Sequence, residues 1–451
     1  MPRLKYATFL RVLVILGLFC VWLQIMVSSG LERDGEELMN GNDTSEQVLA
    51  LVPQELHKYL TVHPKNNTAN TTDLPKNITE IRRAIKRYND AQTIYNEDIY
   101  GPVLNDTVII AIQVHTRLTY LRHLIVSLAQ ARDIERTLLV FSHDYYDEEI
   151  NSLVRTIDFT KVMQIFYPFS IQTHPNEFPG VDPNDCPRDA KFEQAIKLKC
   201  NNALHPDLHG HYREAKYTQT KHHWWWKANR IFNQLQSTAS HTGMVVFLEE
   251  DHYVAEDFLH VLNLMRTTAD KTCPQCELLS LGTYLKTYQY HATADKVEIT
   301  PWHSSIHNMG MVFNRTVWNS IMSLQDQFCE YDDYNWDYSL LHLSQNRKGK
   351  EKFKVMMCKG PRVFHIGECG LHHKKSNCNA NLVISKVQKL LQTTKRLLYP
   401  KRLTASINPG GAKHNKKLVK GNGGWGDRRD QEMCTNMTKI ERQLKKYTYF
   451  A

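Results

Sequence analysis

The hydrophobic residues of this chain follow two different patterns. Residues 7–27 form a nearly unbroken apolar run, close to the roughly 20 residues that a helix needs to cross a bilayer. Further along, short runs rich in β-branched residues alternate with stretches whose apolar residues recur at helical spacing. This alternation predicts an α/β fold with a mixed, mostly parallel sheet flanked by helices, preceded by one transmembrane helix.

The alternating region predicts individual strands and helices. Predicted strands cover residues 107–114, 137–141, 162–166 and 243–248, and predicted helices cover 118–131 and 212–235. The run at 107–114 should be a central strand, because it is apolar on both faces. Residues 176–206 are rich in Pro and Asp and contain Cys186 and Cys200, which predicts a long loop pinned by a disulfide.

The charges around the apolar run predict its orientation. Arg3, Lys5 and Arg11 lie on or near its N-terminal side, and acidic residues follow it from Glu32 onward. The positive-inside rule therefore leaves residues 1–6 as a cytosolic tail, makes residues 7–27 a signal anchor and places the remainder in a lumen. A cleaved signal peptide is the alternative.

Glycosylation sequons agree with a lumenal location. N-x-S/T triplets begin at Asn42, Asn66, Asn70, Asn77, Asn105, Asn314 and Asn436. Four of them precede residue 80 in a Thr/Asn/Pro-rich stretch. This cluster favours an exposed, glycosylated stem over residues 28–90.

The chain contains ten cysteines. Cys20 lies in the apolar run and nine cysteines follow it, so disulfides are their expected state in a lumen. Cys273 and Cys276 have CxxC spacing, for which we favour a local disulfide over a redox or half-zinc motif, because no second CxxC is present. Nine cysteines cannot all pair within one chain, and Cys358 is our candidate for the unpaired one.

The formal net charge of +9 changes this picture little. Much of the excess falls in residues 413–420, which we interpret as a solvated basic tail. Because the chain is predicted to be lumenal, we expect no nucleic-acid partner. A locally basic site for a diphosphate is compatible with the charge.

Three consecutive carboxylates follow the predicted strand at 243–248. Glu249, Glu250 and Asp251 would repel one another unless they are solvated, hydrogen bonded or neutralised by a cation. They should lie at the carboxyl edge of a parallel sheet, where ligands bind, with Glu249 and Asp251 on one side of the strand. The residues alone leave two interpretations open, a divalent-metal site and a polar exit from the strand.

A series of motifs, in order along the chain, carries a resemblance to a known family. The motifs are QVHTR (113–117), FSHD (141–144), HPNEFPG (174–180), QTKHHWWWK (219–227), FLEEDHY (247–253), LSLGTY (279–284), HNMG (307–310), YDDYNWD (331–337), FHIGECGLHHKK (364–375) and NGGWGD (422–427). From about residue 107 to 434 the chain resembles the N-acetylglucosaminyltransferase II family.

The resemblance implies a GT-A-type glycosyltransferase that uses UDP-N-acetylglucosamine and Mn²⁺. Its acceptor would be the α-1,6 arm of an N-glycan on a glycoprotein. It also implies a nucleotide-sugar-binding half over residues 91–300, an acceptor-binding half over 301–440 and a C-terminal tail over 441–451. We expect a Golgi membrane protein of the single-pass type II class, with a lumenal catalytic domain.

The resemblance further implies roles for individual residues. Donor-binding residues would be Gln113, Val114, His115, Thr116, Arg117, Asp144, Gln219, Thr220, Lys221, His222, His223 and Tyr288. Tyr288 is a departure, because a basic residue is expected at that position. Acceptor-binding residues would be Arg188, Asn308, Tyr334 and Trp336, and disulfides would join Cys186 to Cys200, Cys273 to Cys276, Cys369 to Cys378 and Cys329 to Cys434. The tryptophans at 224–226 are expected to pack behind the site.

Three residues would carry the chemistry that the resemblance implies. Asp251 and His365 would bind the metal, and Asp337 would act as general base toward the mannose 2-hydroxyl in a single inverting displacement. Asp332 and Asp333 are rival carboxylates. A sister transferase for another mannose arm and a catalytically silent lumenal lectin or scaffold stay open, although a binding module needs neither a metal nor a base.

Overall fold

A ten-stranded mixed sheet forms the centre of the protein. The strands are β1 (Ile94–Tyr95), β2 (Ile109–Val114), β3 (Leu138–His143), β4 (Lys161–Phe166), β5 (Val245–Glu249), β6 (His252–Val254), β7 (Cys276–Ser280), β8 (Lys296–Pro301), β9 (Met311–Phe313), β10 (Lys354–Cys358), β11 (Val363–His365) and β12 (Thr404–Ile407). Across the sheet the order is β1-β4-β3-β2-β5-β9-β7-β10-β8-β12, while β6 and β11 form a separate pair.

Parallel pairing dominates the half of the sheet that contains β2. Strands β4, β3, β2 and β5 are parallel neighbours, whereas β9 runs antiparallel to both β5 and β7. Further out, β7 is parallel to β10 and β8 is parallel to β12. The predicted mixed, mostly parallel sheet is confirmed, and the strands predicted at 107–114, 137–141, 162–166 and 243–248 correspond to β2 to β5.

Helices connect the strands and cover the sheet. They are α1 (Ile78–Ala91), α2 (Glu97–Tyr100), α3 (Leu118–Ala129), α4 (Glu148–Arg155), α5 (Phe192–Leu198), α6 (Ala215–Asn229), α7 (Phe258–Thr272), α8 (Tyr290–Thr293), α9 (Ser304–His307), α10 (Arg315–Met322), α11 (Gln325–Glu330), α12 (Trp336–Gln345), α13 (Ala380–Thr393) and α14 (Arg428–Thr448). A π-helical turn, Arg230–Gln234, extends α6. Short 3₁₀ helices occur at Gln54–Tyr59, Ile134–Arg136, Gln236–Thr238 and Lys395–Leu397.

Alternation along β2 divides the hydrophobic core between the two faces of the sheet. Ile110 and Ile112 pack in a cluster with Leu121 of α3, while Ile109 and Ala111 lie in a second cluster that also contains the tryptophans of α6. Successive side chains of a strand point to opposite faces. A strand that is covered on both sides must therefore be largely apolar, as β2 is apart from Gln113 near its end.

The structure describes residues 46, 48–61, 77–285, 287–347, 351–367, 380–408 and 421–448, with side chains of the last segment to residue 438. The chain divides into two compact units, Met1–Leu51 and Val52–Ala451, and all the elements named above belong to the second. Among the described residues, no helix combines the length and apolar character that a membrane crossing requires. The predicted anchor at 7–27, the sequons at Asn42, Asn66 and Asn70, and the basic segment 413–420 lie outside them.

Part of the predicted stem, residues 28–90, is folded in the structure. Helix α1 begins at the N-cap Asn77, whose side chain accepts a hydrogen bond from the Glu80 amide. The Asn89 side chain of this helix exchanges hydrogen bonds with the backbone of Phe166 in β4, at 2.7 and 2.9 Å. Earlier in the chain, the Tyr59 side chain is fully buried, and the Tyr59 carbonyl oxygen accepts a 2.8 Å hydrogen bond from Arg122 Nη1 of α3. Both segments therefore belong to the folded unit, because they form hydrogen bonds with β4 and α3.

The disulfides largely follow the implied pattern. Cys186–Cys200, Cys273–Cys276 and Cys329–Cys434 are present, and Cys358 is buried and unpaired among the described residues. The pair Cys369 and Cys378 lies outside them.

Two predicted boundaries need correction. The segment 176–206 is not a loop throughout, because α5 lies between Cys186 and Cys200. The division at residue 300 falls inside β8, and strands from both sides of that position share one sheet.

Candidate active site

A cavity of about 470 Å³ opens at the carboxyl edge of β2, β3 and β5. Its lining residues are Gln113, His115, Thr116, Arg117, Asp144, Ile171, Lys216, Gln219, Thr220, Glu249, Glu250, Asp251, His365 and Gly367. Parallel strands place their following loops at one edge, which is where open α/β sheets bind ligands. Seven of the predicted donor-binding residues and both predicted metal ligands are brought together here.

Asp144 forms the hydrogen-bonded centre of one end of the cavity. Its Oδ1 lies 2.6 Å from His115 Nδ1, and its Oδ2 accepts a 3.1 Å hydrogen bond from Gln219 Nε2. The buried His223 lies 3.3 Å from the same Oδ2. Burial by itself would raise the pKa of Asp144, but the hydrogen bonds and charges of His115 and His223 outweigh it and hold the pKa below its usual range. Asp144 is thus an ionised acceptor that can receive hydrogen bonds from a polar ligand.

Arg117 organises the acidic end of the cavity. Its Nε lies 3.0 Å from Glu250 Oε1 and its Nη2 lies 2.8 Å from Asp251 Oδ2. Glu250 Oε2 also accepts a 2.8 Å hydrogen bond from the backbone amide of His115. Glu250 is therefore committed to protein partners, as the alternation along the strand suggested, whereas Glu249 and Asp251 are the acids that remain for a ligand.

The residues around Asp251 fit a divalent cation. Asp251 Oδ1 is buried and has no hydrogen-bond partner, and His365 Nε2 lies 3.0 Å from Asp251 Oδ2. Burial would raise the pKa of Asp251, but His365 and Arg117 lower it below its usual range, so the carboxylate is ionised. Such a mixture of carboxylate oxygen and imidazole nitrogen suits a borderline metal ion.

Two histidines compete for the role of nitrogen ligand. Donor atoms of Glu249, Asp251 and His252 lie within 4.8 Å of one another. His252, however, accepts a hydrogen bond from the Glu249 amide through Nδ1 and is 3% exposed, while His365 lines the cavity. We therefore favour Asp251 and His365, with Glu249 beside them.

Helix α6 places only part of its motif in the cavity. Gln219 and Thr220 line it, and one turn further on His223 supports Asp144. Another turn along, Lys227 Nζ donates a 2.8 Å hydrogen bond to Gln113 Oε1. Residues four apart lie on one face of a helix, so these side chains form a continuous stripe toward β2 and β3.

Lys221 and His222, predicted to contact the donor, are not among the residues that line the cavity. The Lys221 ammonium donates hydrogen bonds to the carbonyl oxygens of Tyr331 and Asp333 at 3.1 and 3.0 Å. His222 Nε2 lies 2.9 Å from Asp430 Oδ1. Both side chains tie α6 to other segments instead of meeting a nucleotide.

Three further predicted donor or acceptor residues also lie elsewhere. Val114 is fully buried in the core beneath the cavity. Tyr288 lies outside the lining set and packs edge-on against Phe364, with ring centroids 5.4 Å apart. Trp336, predicted to contact the acceptor, is 7% exposed and stacks on Trp224 at 4.5 Å. Trp336 thus fixes α12 on α6 from within the core.

The other predicted acceptor residues lie near the N-terminal ends of α6 and α12. Arg188 Nε lies 2.8 Å from Glu214, the residue before α6, and Tyr334 packs against Tyr217 with ring centroids 4.9 Å apart. Asn308 Nδ2 donates a 3.1 Å hydrogen bond to Asp337 Oδ2. Of these side chains, Asn308 contacts the candidate base directly.

Asp337 lies in the first turn of α12 and has the character of a base. It is 8% exposed, and burial, followed by the charge of Asp333, raises its pKa to about 7. The rival acids are occupied: Asp332 accepts the Leu208 and Trp425 amides at 2.6 and 2.9 Å, and Asp333 accepts the Asn422 amide at 2.8 Å. Asp337 also accepts hydrogen bonds, from Asn308 Nδ2 at 3.1 Å and from the Tyr338 amide at 2.9 Å. It stays the candidate base of this motif because of its raised pKa.

Tyr284 joins the metal-binding candidates to the base, and sequence reasoning missed it. Its ring centroid is 6.2 Å from that of His365. Burial raises the pKa of its phenol, as do the charges of Glu249, Asp337 and Asp251, while a hydrogen bond with Asn308 opposes them. The phenol therefore lies within electrostatic range of both groups of acids. It stands there because β9, which follows Asn308, pairs with β7, which precedes Tyr284.

Other lining residues were also missed. Ile171, Lys216 and Gly367 line the cavity. A Cβ on Gly367 would lie 2.1 Å from Asp251 Oδ2, so only glycine permits this close approach. Gly367 lies within the FHIGECG motif, but Asp251 is distant from it in sequence, so no local pattern predicts their contact.

A buried ion cluster holds α14 against α6, and its loss should destabilise the protein. Asp430 is paired with Arg213 at 2.7 Å and with His222 at 2.9 Å, and the side chains of Asp430 and Arg213 are 0% and 3% exposed. Asp430→Asn should lower the free energy of unfolding by about 2–4 kcal/mol, because the buried Arg213 guanidinium loses its shortest ion pair and keeps only Asp185, at 3.2 Å, as a carboxylate partner. Denaturant unfolding beside the surface variant Asp270→Asn measures this, and a loss below about 1 kcal/mol would contradict the assignment.

Comparisons with known proteins identify the family. The sequence profile of N-acetylglucosaminyltransferase II matches residues 82–434. The chain is 43% identical over 367 residues to the α-1,6-mannosyl-glycoprotein 2-β-N-acetylglucosaminyltransferase of Rattus norvegicus and 42% identical over 360 residues to that of Sus scrofa, and each comparison covers 80% of both chains. Among solved structures, S. aureus TarS 1–349 covers 69% of this chain and 76% of its own at 9% identity, with a TM-score of 0.28. The family predicted from the motifs is confirmed by the sequence matches: the chain belongs to the N-acetylglucosaminyltransferase II family.

Proposed function

We propose that this chain transfers N-acetylglucosamine from UDP-N-acetylglucosamine, in β-1,2 linkage, to the α-1,6-arm mannose of N-glycans, converting hybrid to complex type. One observation carries the proposal beside family membership: Tyr284 and Asn308 join the Asp251–His365 pair to Asp337. The link between the candidate metal ligands and the candidate base supports a direct displacement. A GT-A-type architecture, with the donor at the carboxyl edge of the parallel strands, accords with this arrangement.

The donor would occupy the 470 Å³ cavity. Asp144 and Gln113, at the ends of β3 and β2, would receive and orient the polar groups of the nucleoside. Asp251 and His365 would hold Mn²⁺, which when bound supplies positive charge against the departing diphosphate. Arg117, which already contacts Asp251, adds a second cation beside the same leaving group.

Asp337 would accept the proton from the mannose 2-hydroxyl. The hydroxyl oxygen then forms a bond to the anomeric carbon of the donor, and the bond from that carbon to the diphosphate oxygen breaks. One such displacement inverts the anomeric carbon and needs no protein nucleophile. Asn308 orients the Asp337 carboxylate through its 3.1 Å hydrogen bond.

The raised pKa of Asp337 predicts the pH dependence of transfer. The base form is the deprotonated one, so activity should be lost as pH falls through about 7, the pKa to which burial raises Asp337. Below that value, log kcat/KM should fall by about one per pH unit. Initial rates across the range from acid to mildly alkaline pH, with UDP affinity measured in parallel, test this. A pH-independent rate down to about pH 5 would contradict Asp337 as the base.

A defined set of acceptor glycans tests the proposed reaction. The first glycan carries N-acetylglucosamine on its α-1,3 arm and has an unsubstituted α-1,6 arm. The second glycan has no N-acetylglucosamine on either arm. We expect Mn²⁺-dependent UDP release with the first and a product with a new β-1,2-linked residue on the α-1,6-arm mannose. Addition to the other arm would indicate a sister transferase, and absence of UDP release from folded protein would indicate a lectin or scaffold.

We also propose that the chain is a single-pass type II protein of the Golgi membrane with a lumenal catalytic domain. The apolar run at 7–27, its flanking charges and the sequons support this location. The three disulfides are in keeping with an oxidising compartment. Resistance of the catalytic domain to protease in sealed Golgi vesicles, lost on adding detergent, would be the expected result.

A further inference from the structure

A second cavity, of about 510 Å³, opens at the amino edge of the parallel strands, opposite the donor cavity. Its walls include residues just before β2, β3 and β5, the first residue of β4, and one side of α7. We call it the back cavity. It has about the volume of the donor cavity, and nothing in the proposed transfer reaction uses it.

The charged residues of the back cavity favour an anion. Lys161, Arg136 and Arg266 face the carboxylates of Asp106 and Asp133. Arg136 Nε lies 3.7 Å from Asp133 Oδ1, so these two form a local pair. The remaining cations, Lys161 and Arg266, exceed the remaining acid, Asp106, by one charge.

Lys161 is the residue that points to a ligand. It is 3% exposed, and its ammonium donates only long hydrogen bonds, of 3.3 and 3.5 Å, to the carbonyl oxygens of Tyr100 and Glu135. Among the described residues no carboxylate contacts it within 4.0 Å. Burial lowers its pKa, and the charges of Glu97 and Glu135, which lie outside the cavity lining, oppose this from farther away. A buried ammonium without a contacting counter-charge is costly, and an anion in the cavity would reduce that cost.

Apolar side chains complete the walls. Leu104, Met244 and Leu259 line the same space, and Leu104 is 60% exposed. Exposed apolar area beside a buried cation suits a ligand that has one charged end and one apolar or ring-shaped part.

We propose that the back cavity binds a small organic phosphate monoester. Its phosphate contacts Lys161 and Arg266, and its organic group covers Leu104 and Leu259. A phosphate oxygen supplies the acceptor that the Lys161 ammonium lacks, since charge-assisted hydrogen bonds of this type are the strong ones. The site is independent of the transferase reaction.

Calorimetric titration with phenyl phosphate, and with phenol as its neutral counterpart, tests the proposal. The full chain is used with the donor cavity saturated by UDP and Mn²⁺, so that the probe cannot bind there. We expect phenyl phosphate to bind at least about tenfold more tightly than phenol, because only the former pairs with Lys161. Lys161→Met should remove that preference while leaving transferase activity unchanged.

Lys86→Met is the matched control, because Lys86 is exposed and paired with Asp90 on the surface of α1. It should bind phenyl phosphate as the unmodified protein does. No binding at millimolar phenyl phosphate, or unchanged binding by folded Lys161→Met, would overturn the proposal. If Lys161→Met does not fold, Arg266→Met should weaken binding by about three- to tenfold, and unchanged affinity in that variant would equally overturn it.

Discussion

Asp337→Asn is expected to lower kcat for N-acetylglucosamine transfer by about 10³-fold, within the range that a general base contributes. The amide keeps the shape of the carboxylate and can still meet Asn308, but it cannot accept the proton of the attacking hydroxyl. Donor affinity should stay within about twofold, because Asp337 does not line the donor cavity.

Paired measurements separate chemistry from binding in this variant. Transfer is followed by UDP release, and UDP affinity by calorimetry in the presence of Mn²⁺. Asp326→Asn, on the exposed side of α11, serves as the control and should retain full activity. A loss of transfer below about tenfold would reject Asp337 as the base, and a parallel loss of UDP affinity would indicate a structural role.

Asp251→Asn is expected to reduce transfer by about 10³-fold or more and to weaken Mn²⁺-dependent UDP binding. The substitution removes the negative charge from a buried carboxylate whose Oδ1 has no hydrogen-bond partner among the described residues. It should also weaken the anchoring of Arg117, which contacts Asp251 at 2.8 Å. Leaving-group stabilisation and donor orientation would therefore be lost together.

The response of transfer and of the melting temperature to Mn²⁺ distinguishes loss of metal binding from misfolding of the variant. In the unmodified protein, a chelator should abolish transfer, and Mn²⁺ should restore it and raise the melting temperature. Asp251→Asn should show neither restoration nor a melting shift, whereas Asp270→Asn, an exposed acid on α7, should behave as the unmodified protein. A normal Mn²⁺ response in Asp251→Asn would show that the cation is held elsewhere.

The sequence predicted those parts of the fold whose signal is local. Strands β2 to β5 were predicted within about two residues of their bounds, since each is a compact apolar run between polar segments. Helix α3 was predicted from its start, and only its last turn differs. Helix α5 was missed because the surrounding Pro and Asp residues hide a short helix whose position is fixed by the Cys186–Cys200 disulfide.

The candidate site was predictable where it follows a strand end and less so where it depends on a helix face. Gln113 and Asp144 follow from strand order, since the carboxyl ends of parallel neighbours meet. Lys221 and His222 were placed in the donor site because the motif was taken as a block, although a period of 3.6 residues turns Lys221 away from Gln219. Helical periodicity could have made that correction for Lys221, but not for His222, which follows Gln219 by three residues.

The contact between Tyr284 and Asn308 had no local signal. It arises because β9 inserts antiparallel between β5 and β7, and pairings between strands so distant in sequence are not encoded in either segment alone. The back cavity is equally non-local, since its walls come from several connections at one edge of the sheet.

The docking of helix α1 on β4 has a practical consequence for making a soluble, secreted form. Cutting at residue 91, where the predicted stem ends, would delete the partner of the Phe166 backbone and uncover an edge of the sheet that could then pair with other chains. The segment Gln54–Tyr59 that covers Arg122 would be lost as well. A cut ahead of Val52 would keep both coverings in place, so aggregation during secretion should depend sharply on which side of these segments the chain begins.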